Sequence, residues 1–398
     1  MISNESRNPR LRVAAATLSL MSAAALVFAC GQPTPSGPAT SPSSSAVATL
    51  AATSNRTPAV PATGLQPAQA LPAILDALRR YPLVALCDRH QVQQEHDFIQ
   101  SLLHSPELPG LINDIVVEFG NPLEQSIADR YLLSLEPLGI DDIRQIWRQT
   151  GSPLWDAPVY EQFFATLRDV NAALPAARRI RVVLGDTPID YSRVHGVADA
   201  DYVRTMENET DAHFAQVVET EVMAKGRRAL LIAGGGHLRR GLHADQRPRS
   251  DAPGQPPNAG TRISQLHPGS LYVIDTLIVG YLDPPVRARA LDTVATWAAP
   301  QIASLSGTWL GEQPGPSISY RALTPADARY DNQVDAVIYL GPDSTLRFSL
   351  PDPSIYSAGP YRDFLSSLSP VMSAVYGESV DWLGEAVADA KQDPRLFP

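Results

Sequence analysis

Six short, nearly continuous apolar runs recur along the chain, and helical periodicity lies between them. The runs are LVALCD (83–88), DIVVEF (114–119), IRVVLGD (180–186), ALLIAG (229–234), LYVIDT (271–276) and DAVIYL (335–340). A strand without a polar face must be covered on both sides, as strands of a parallel sheet are. The sequence therefore predicts an α/β fold, in which helices cover both faces of a mainly parallel central sheet.

The N-terminus has the pattern of an export signal. Arg7, Arg10 and Arg12 precede an apolar stretch, residues 13–29, which ends directly before Cys30. The stretch is short for a membrane span, and Cys30 stands where a bacterial lipoprotein carries its lipidated cysteine. We expect 1–29 to be a lipoprotein signal peptide and Cys30 to anchor a secreted, extracytoplasmic protein to the cell membrane. A plain secreted protein and a retained anchor are the alternatives.

Composition separates a tether from the folded part. Residues 30–64 are rich in Pro, Ser, Ala and Thr, and so few large apolar residues cannot offset the entropy of ordering a chain. We expect a disordered tether there and a single α/β domain over 65–398, with a helical and loop extension from about residue 350. The net charge of -10 argues against nucleic acid as a partner.

Histidines and carboxylates follow four of the predicted strands. Asp88 and His90 come after the first run, Glu118 lies near the end of the second, Asp186 closes the third and His237 follows the fourth. Because ligands of parallel sheets bind at the carboxyl ends of the strands, we expect these five side chains to meet. Such a set suits either general-base hydrolysis or a divalent metal. If a metal is bound, His90, Glu118 and His237 are its candidate ligands.

Four further residues have either a functional or a purely structural interpretation. His96 shares a helical stripe with apolar residues, so it is either a hydrogen-bonded core histidine or a substrate contact. Arg239 is a candidate for holding an anionic group, and Arg240 is more simply a solvated arginine. Asn121 has the sequence of a helix cap, because Pro122 and Glu124 follow it.

Two segments near His237 bear on access to the site. Gly234, Gly235 and Gly236 would let the backbone approach a ligand closely, although they fit neither a nucleotide loop nor a dinucleotide fingerprint. Residues 244–261 are polar and rich in Pro, so they form either a lid over the site or a plain surface insertion.

The motifs ALCDRHQVQQEHDF, VVEFGN, VLGD, GGGHLRRG and VDAVIYLG resemble, in this order, those of the erythromycin esterase, ChaN-like and Tiki superfamily. The resemblance covers roughly residues 75 to 345. It implies that His90 corresponds to the family's first histidine, Glu118 to its second-strand carboxylate and His237 to its later histidine. In the esterase branch the first histidine is a general base, the ChaN-like branch binds haem, and the Tiki branch holds a divalent metal.

One departure from the family stands out. Where the family has Gly-Glu before the first histidine, this chain has Cys87-Asp88. The side chain of Asp88 is one methylene shorter than the glutamate of the family. Three hypotheses follow: a hydrolase in which His90 activates water, with Asp88 and Asp186 in support; a haem- or metal-binding lipoprotein without turnover; and a scaffold whose site has decayed. A small molecule or haem is the expected ligand in the first two.

Overall fold

The computed structural model describes residues 63–151, 155–246 and 254–397. The predicted signal peptide, Cys30 and nearly all of the predicted tether lie outside these residues. Within them, no helix is both long and apolar enough to cross a bilayer.

An eight-stranded, mostly parallel sheet forms the centre, in the order β1-β7-β8-β6-β2-β5-β3-β4. Six strands are mutually parallel, while β7 pairs antiparallel with β8 and β1 antiparallel with β7. The predicted α/β fold is confirmed. The strands are β1 (Ala68–Gln69), β2 (Leu83–Asp88), β3 (Asp114–Val117), β4 (Arg181–Leu184), β5 (Ala229–Gly234), β6 (Leu271–Thr276), β7 (Gln301–Ser304) and β8 (Ala336–Tyr339).

Helices α1 to α11 lie in the connections between the strands, and α12 and α13 follow the last strand. They are α1 (Ala70–Arg80), α2 (Gln93–Leu103), α3 (Gln125–Leu132), α4 (Ile140–Arg148), α5 (Pro158–Ala172), α6 (Ala200–Asn208), α7 (Thr210–Val217), α8 (Gly235–Leu238), α9 (Ala259–Leu266), α10 (Pro284–Val294), α11 (Tyr330–Gln333), α12 (Pro360–Tyr376) and α13 (Trp382–Ala390).

All six apolar runs are strands, for the reason that predicted them. Every residue of β2 and of β5 is buried, so these strands are covered on both faces. Val84 and Leu86 of β2 point into the largest apolar cluster, which α1 to α5 build on one face of the sheet. The strand β3 is shorter than the predicted run 114–119. It ends at Val117, so Glu118 lies just beyond the strand.

One local prediction is confirmed, and the stretch 244–261 is described in part, because its residues 247–253 lie outside the described residues. The Asn121 side chain accepts a hydrogen bond from the Leu123 N–H at 3.0 Å, so the predicted cap is confirmed. The polar stretch 244–261 is not all loop, because α9 starts at Ala259 with Asn258 as its N-cap. The Asn258 amide also donates to the carbonyls of Gly236 (2.7 Å) and Arg239 (2.8 Å), which ties this stretch to the turn that carries His237.

Candidate functional site

Four adjacent strands bring the predicted residues together. The sheet order places β2, β5, β3 and β4 side by side, all parallel, so their carboxyl ends form one edge. Asp88 and His90 follow from β2, His237 from β5, Glu118 from β3 and Asp186 from β4. The adjacency explains why residues up to about 150 positions apart in sequence belong to one cleft.

Asp88 orients His90. Nδ1 of His90 lies 2.9 Å from Oδ2 of Asp88, whose side chain is buried, while the His90 side chain is 45% exposed. Burial alone would raise the pKa of Asp88, but the neighbouring His96 and His90 outweigh it and hold the pKa well below the usual range. The carboxylate is therefore ionised, and it favours the tautomer in which Nδ1 carries the proton.

Gly234 makes room for the His90 ring. A Cβ placed on Gly234 would lie 3.0 Å from both Cε1 and Nε2 of His90, and 3.3 Å from Oε2 of Glu118. At Gly235 the same construction meets the Tyr320 ring at 3.1 Å. The glycines were expected to let a ligand approach the backbone. In the structure, the groups that approach it are the side chains of His90, Glu118 and Tyr320. A hydrogen in place of Cβ is what lets Nε2 of His90 reach Glu118's side of the cleft.

A second chain of polar contacts runs through His237. Its Nε2 is 3.3 Å from Oε1 of Glu118, and its Nδ1 is 3.0 Å from Oδ1 of Asp211 on α7. Glu118 also accepts a hydrogen bond from the Gly234 N–H at 2.5 Å. Asp211 in turn accepts from the Ala259 N–H at 2.8 Å, which fixes the carboxylate against the start of α9.

The charges of this chain follow from its contacts. Desolvation opposes the protonated form of His237, but Asp211 and Glu118 raise its pKa well above the ordinary value. Burial would raise the pKa of Glu118, yet the positive charges of His237 and His90 lower it to about 2. The pKa of His90 is raised despite desolvation, chiefly by Glu118 and Asp88. At neutral pH His237 is thus an imidazolium and its neighbour Glu118 is a carboxylate.

The pKa of Asp186 is raised, whereas the pKa values of Asp88 and Glu118 are lowered. It is 5% exposed and accepts hydrogen bonds from the N–H groups of Gly151 (2.9 Å) and Thr187 (2.7 Å). Burial raises its pKa to about 7 against the effect of the Gly151 hydrogen bond, and the charge of Glu118 adds to the rise. A carboxyl group near half-protonation at neutral pH can donate a proton in catalysis.

Glu118, Asp186, Asp211 and His237 line a cleft with a cavity volume of about 160 Å³. Trp155 forms one wall, and its ring meets His90 edge to face, with centroids 4.6 Å apart. Side chains from α6, α7 and the C-terminal helix α12 complete the mouth. The lining consists of Glu118, Gly151, Trp155, Asp186, Glu207, Thr210, Asp211, His237, Asp245 and Tyr376.

The candidate metal ligands are held by hydrogen bonds and ion pairs to other side chains. Among the described residues, no group of three or more His, Cys, Asp or Glu side chains converges as an ion would require. Both ring nitrogens of His237 face carboxylates, and Nδ1 of His90 is bound to Asp88. The polar, carboxylate-rich lining also suits a small polar ligand better than a flat apolar porphyrin.

The departure at Cys87-Asp88 does not separate the carboxylate from the histidine. Despite its shorter side chain, Asp88 contacts His90 directly, and its Oδ1 lies 3.3 Å from Nε2 of His96. Cys87 is buried, and its Cβ lies next to Gly235. The pair Asp88–His90 is therefore geometrically complete in this chain.

Two predicted substrate contacts lie below the cleft surface. His96 is 1% exposed and stands behind Asp88, so it braces that carboxylate from the core side. Arg239 is 0% exposed and forms an ion pair with Asp275 at the end of β6. Arg240 is half-buried rather than solvated, because Asp335 accepts from it at 2.8 Å.

Sequence reasoning missed several residues that the structure places at this edge. Asp275 gave the same signal as Glu118, a carboxylate in an otherwise apolar strand, and was recognisable on that ground. Arg89 stands between two predicted site residues. Asp211, Trp155 and Tyr320 come from a helix and loops whose local sequence has no pattern that points to the site.

Comparison with known proteins gave structural matches alone. No family model matches the sequence, and no curated protein matches it. A solved protein of Bacillus cereus superposes with a TM-score of 0.46 at 10% identity, over 69% of this chain and 94% of that chain.

Two further matches bear the names of groups that the motifs resemble. A mutant of the erythromycin esterase EreC, in its open conformation, has a TM-score of 0.43 and 11% identity, covering 67% of this chain and 92% of that one. ChaN of Campylobacter jejuni, described with cofacially bound haem, has a TM-score of 0.33 and 15% identity, with 52% and 85% covered. An esterase and a haem-binding protein are thus both among the structures similar to this chain.

Proposed function

We propose that the protein is an extracytoplasmic lipoprotein hydrolase that cleaves an ester or lactone with water activated by His90. The observation that carries this proposal is the bond between Nδ1 of His90 and the buried, ionised Asp88. A histidine held in this way keeps Nε2 as the basic nitrogen. This Nε2 lies beside Gly234, and the His90 ring packs against Trp155 in the wall of the cleft. The arrangement is the orienting half of a general-base site.

The reaction assigns a role to each remaining group. Nε2 of His90 takes a proton from water as its oxygen bonds to the carbonyl carbon. Glu118, kept ionised by the neighbouring imidazolium of His237, stabilises the positive charge that His90 gains in this step. The bond to the leaving alcohol then breaks, and protonated Asp186 gives its proton to that oxygen. The proton on His90 returns through solvent to Asp186, which completes the cycle.

The lipid anchor belongs to the proposal through sequence alone. Residues 13–29 and Cys30 have the pattern of a lipoprotein signal, so we propose that the hydrolase acts at the outer side of the cell membrane. Mass spectrometry of the mature N-terminus tests this directly: an acylated Cys30 supports the anchor, and an intact Met1 contradicts it.

The test of the hydrolase pairs two histidine variants. His90→Asn keeps the size and polarity of the ring position but supplies no base, and His104→Asn alters an exposed histidine at the end of α2. With 4-nitrophenyl acetate and a panel of lactones as probes, we expect His90→Asn to lose at least about 100-fold in kcat/KM. His104→Asn should retain wild-type activity. Equal activity of the two variants would remove the general-base role.

The haem-binding alternative is tested with the same proteins. A haemin titration that gives a saturable Soret shift in the wild type, abolished in His90→Asn, would favour binding over hydrolysis. Mutation-independent uptake, together with loss of ester cleavage in His90→Asn, supports the hydrolase.

A further inference from the structure

Two buried guanidinium groups share one carboxylate beside the cleft. Arg89 donates to Oδ1 of Asp275 at 3.2 Å, and Arg239 is ion-paired with Oδ2 of the same residue. Tyr330 also donates to Oδ2, at 2.5 Å. The side chains are 13% exposed for Arg89, 0% for Arg239 and 1% for Asp275. Glu95, also buried, accepts from the Arg89 backbone N–H at 3.2 Å, but burial raises its pKa well above the ordinary value. Asp275 is therefore the carboxylate that the two guanidiniums share.

Several donors of these arginines are left over. In the part of the chain that the structure describes, no acceptor lies within hydrogen-bond reach of Nε or Nη1 of Arg239, or of Nε of Arg89. A guanidinium has five N–H donors in a planar fork, and leaving buried ones unused is costly. An oxyanion would satisfy both the surplus charge and these donors.

Tyr320 covers the two guanidiniums. Its ring centroid lies 4.8 Å from Cζ of Arg239 and 5.5 Å from Cζ of Arg89, and its hydroxyl accepts from Arg89 at 3.4 Å. The same ring contacts the positions above Gly235 and Gly236. The Tyr320 backbone has a φ of 54°, a left-handed conformation that a tyrosine rarely adopts.

The cluster adjoins the base of the proposed reaction. Arg89 is the residue before His90, and Tyr320 rests on Gly235, the residue after the glycine that His90 contacts. Glu118 and Asp186 lie on the other side of His90, toward β3 and β4. Arg89, Arg239 and Tyr320 do not line the cleft described above, which agrees with a subsite that Tyr320 closes.

We infer that Arg89 and Arg239 form an oxyanion subsite closed by Tyr320, which takes a carboxylate or phosphate group of the substrate. The assignment of this group to a substrate rests on the proposed hydrolase function. The Tyr320 hydroxyl occupies the position of an anion oxygen on Arg89, and the ring turns outward when the ligand enters. The substrate class is accordingly an ester that also bears an anionic group.

The binding experiment uses the full chain in detergent and small anions as probes. Thermal unfolding is followed at constant ionic strength with acetate, inorganic phosphate and neutral acetamide. We expect acetate or phosphate to raise the unfolding midpoint saturably and acetamide to leave it unchanged; whichever anion binds more tightly identifies the group. Arg89→Gln should weaken the apparent affinity at least about tenfold.

Three further variants keep the test decisive. Arg240→Gln removes an ion-paired arginine from the same turn and should bind anions like the wild type. Tyr320→Gly removes the cover and suits the left-handed backbone, so anion affinity should rise roughly fivefold. If Arg89→Gln fails to fold, Arg89→Lys keeps the charge but loses the planar fork, and its affinity should fall between those of wild type and background.

A kinetic comparison separates this inference from the hydrolase itself. Mono(4-nitrophenyl) succinate carries a carboxylate, and 4-nitrophenyl acetate does not. The ratio of their kcat/KM values should fall at least about tenfold in Arg89→Gln, mainly through KM. Anion binding that depends on Arg89 without ester cleavage would keep the subsite and overturn the hydrolase. Cleavage that depends on His90, with the same anion response in wild type and Arg89→Gln, would overturn the subsite alone.

Discussion

Nδ1 of His90 and Oδ2 of Asp88 are 2.9 Å apart, although the carboxylate is one methylene shorter than the one the related motif carries. The contact is possible because Asp88 is the last residue of β2 and His90 follows two positions later, on the turn that precedes α2. The length of the side chain is thus matched to a short backbone path. This pairing is the basis of the first prediction.

Asp88→Asn should disable His90 without removing it. The amide cannot stabilise the imidazolium and supports the wrong tautomer, so we expect kcat to fall by about 1000-fold or more. The pKa of His90 should fall as well, because Asp88 raises it now. Ester kinetics and NMR titration of the His90 ring measure the two effects. Asp97→Asn, an exposed carboxamide variant on α2, is the control and should leave both values unchanged.

Gly234→Ala should lower activity more than stability. The added methyl group would stand 3.0 Å from the His90 ring, so the ring must shift. A displacement near 1 Å costs on the order of 100-fold in rate. Gly236→Ala is the matched control, because its methyl group meets no atom closer than 3.4 Å. Comparable kcat/KM in the two variants would contradict the close approach of His90.

Glu118→Gln should destabilise the fold at neutral pH and lose that effect in acid. The folded pKa of Glu118 is about 2, below the ordinary 4.5, so its ionised form stabilises the folded state above pH 4.5. That contribution, roughly 3 kcal/mol, disappears as the pH falls toward 2. Urea unfolding at pH 7 and pH 2.5 should show a difference between variant and wild type at the first pH alone.

Asp186→Asn should show the opposite trend. The folded pKa of Asp186 is about 7 against an ordinary 3.8, so the folded protein holds this proton more tightly than the unfolded chain. Wild-type stability therefore declines as the pH rises from about 4 to about 7, by at most about 1.4 kcal/mol per unit from this group. The amide of Asp186→Asn cannot ionise. The free energy of unfolding of this variant, relative to that of wild type, should therefore increase as the pH rises from about 4 to about 7. A pH-independent difference would place the Asp186 pKa elsewhere.

The parallel strands could be predicted, but the two antiparallel strands, β1 and β7, could not. β2 and β5 match their apolar runs residue for residue. Both strands are buried on both faces, so nearly all of their residues are apolar and the run has the same bounds as the strand. β7 has two buried residues out of four, and β1 has two residues, both exposed. Their strand conformation depends on pairing at the sheet edge, which no local pattern encodes.

The same distinction applies to the site. His90, Glu118 and His237 follow apolar strands, so the sequence marks them as exceptions in need of a reason. Asp211 and Tyr320 are ordinary residues of a polar helix and a loop. They contribute because the fold returns α7 to His237 and the loop before α11 to Gly235, and such long-range returns leave no trace in a short window of sequence.

Glu118 lies between two histidines, and each histidine has a further carboxylate behind it. The titrations of Asp88, His90, Glu118 and His237 are consequently linked, because a proton gained by one of them changes the proton affinity of its neighbours. Each inflection of a pH–rate curve then belongs to the network as a whole. Replacing any one of these groups should shift every inflection of the pH–rate curve, because the groups titrate as one coupled system.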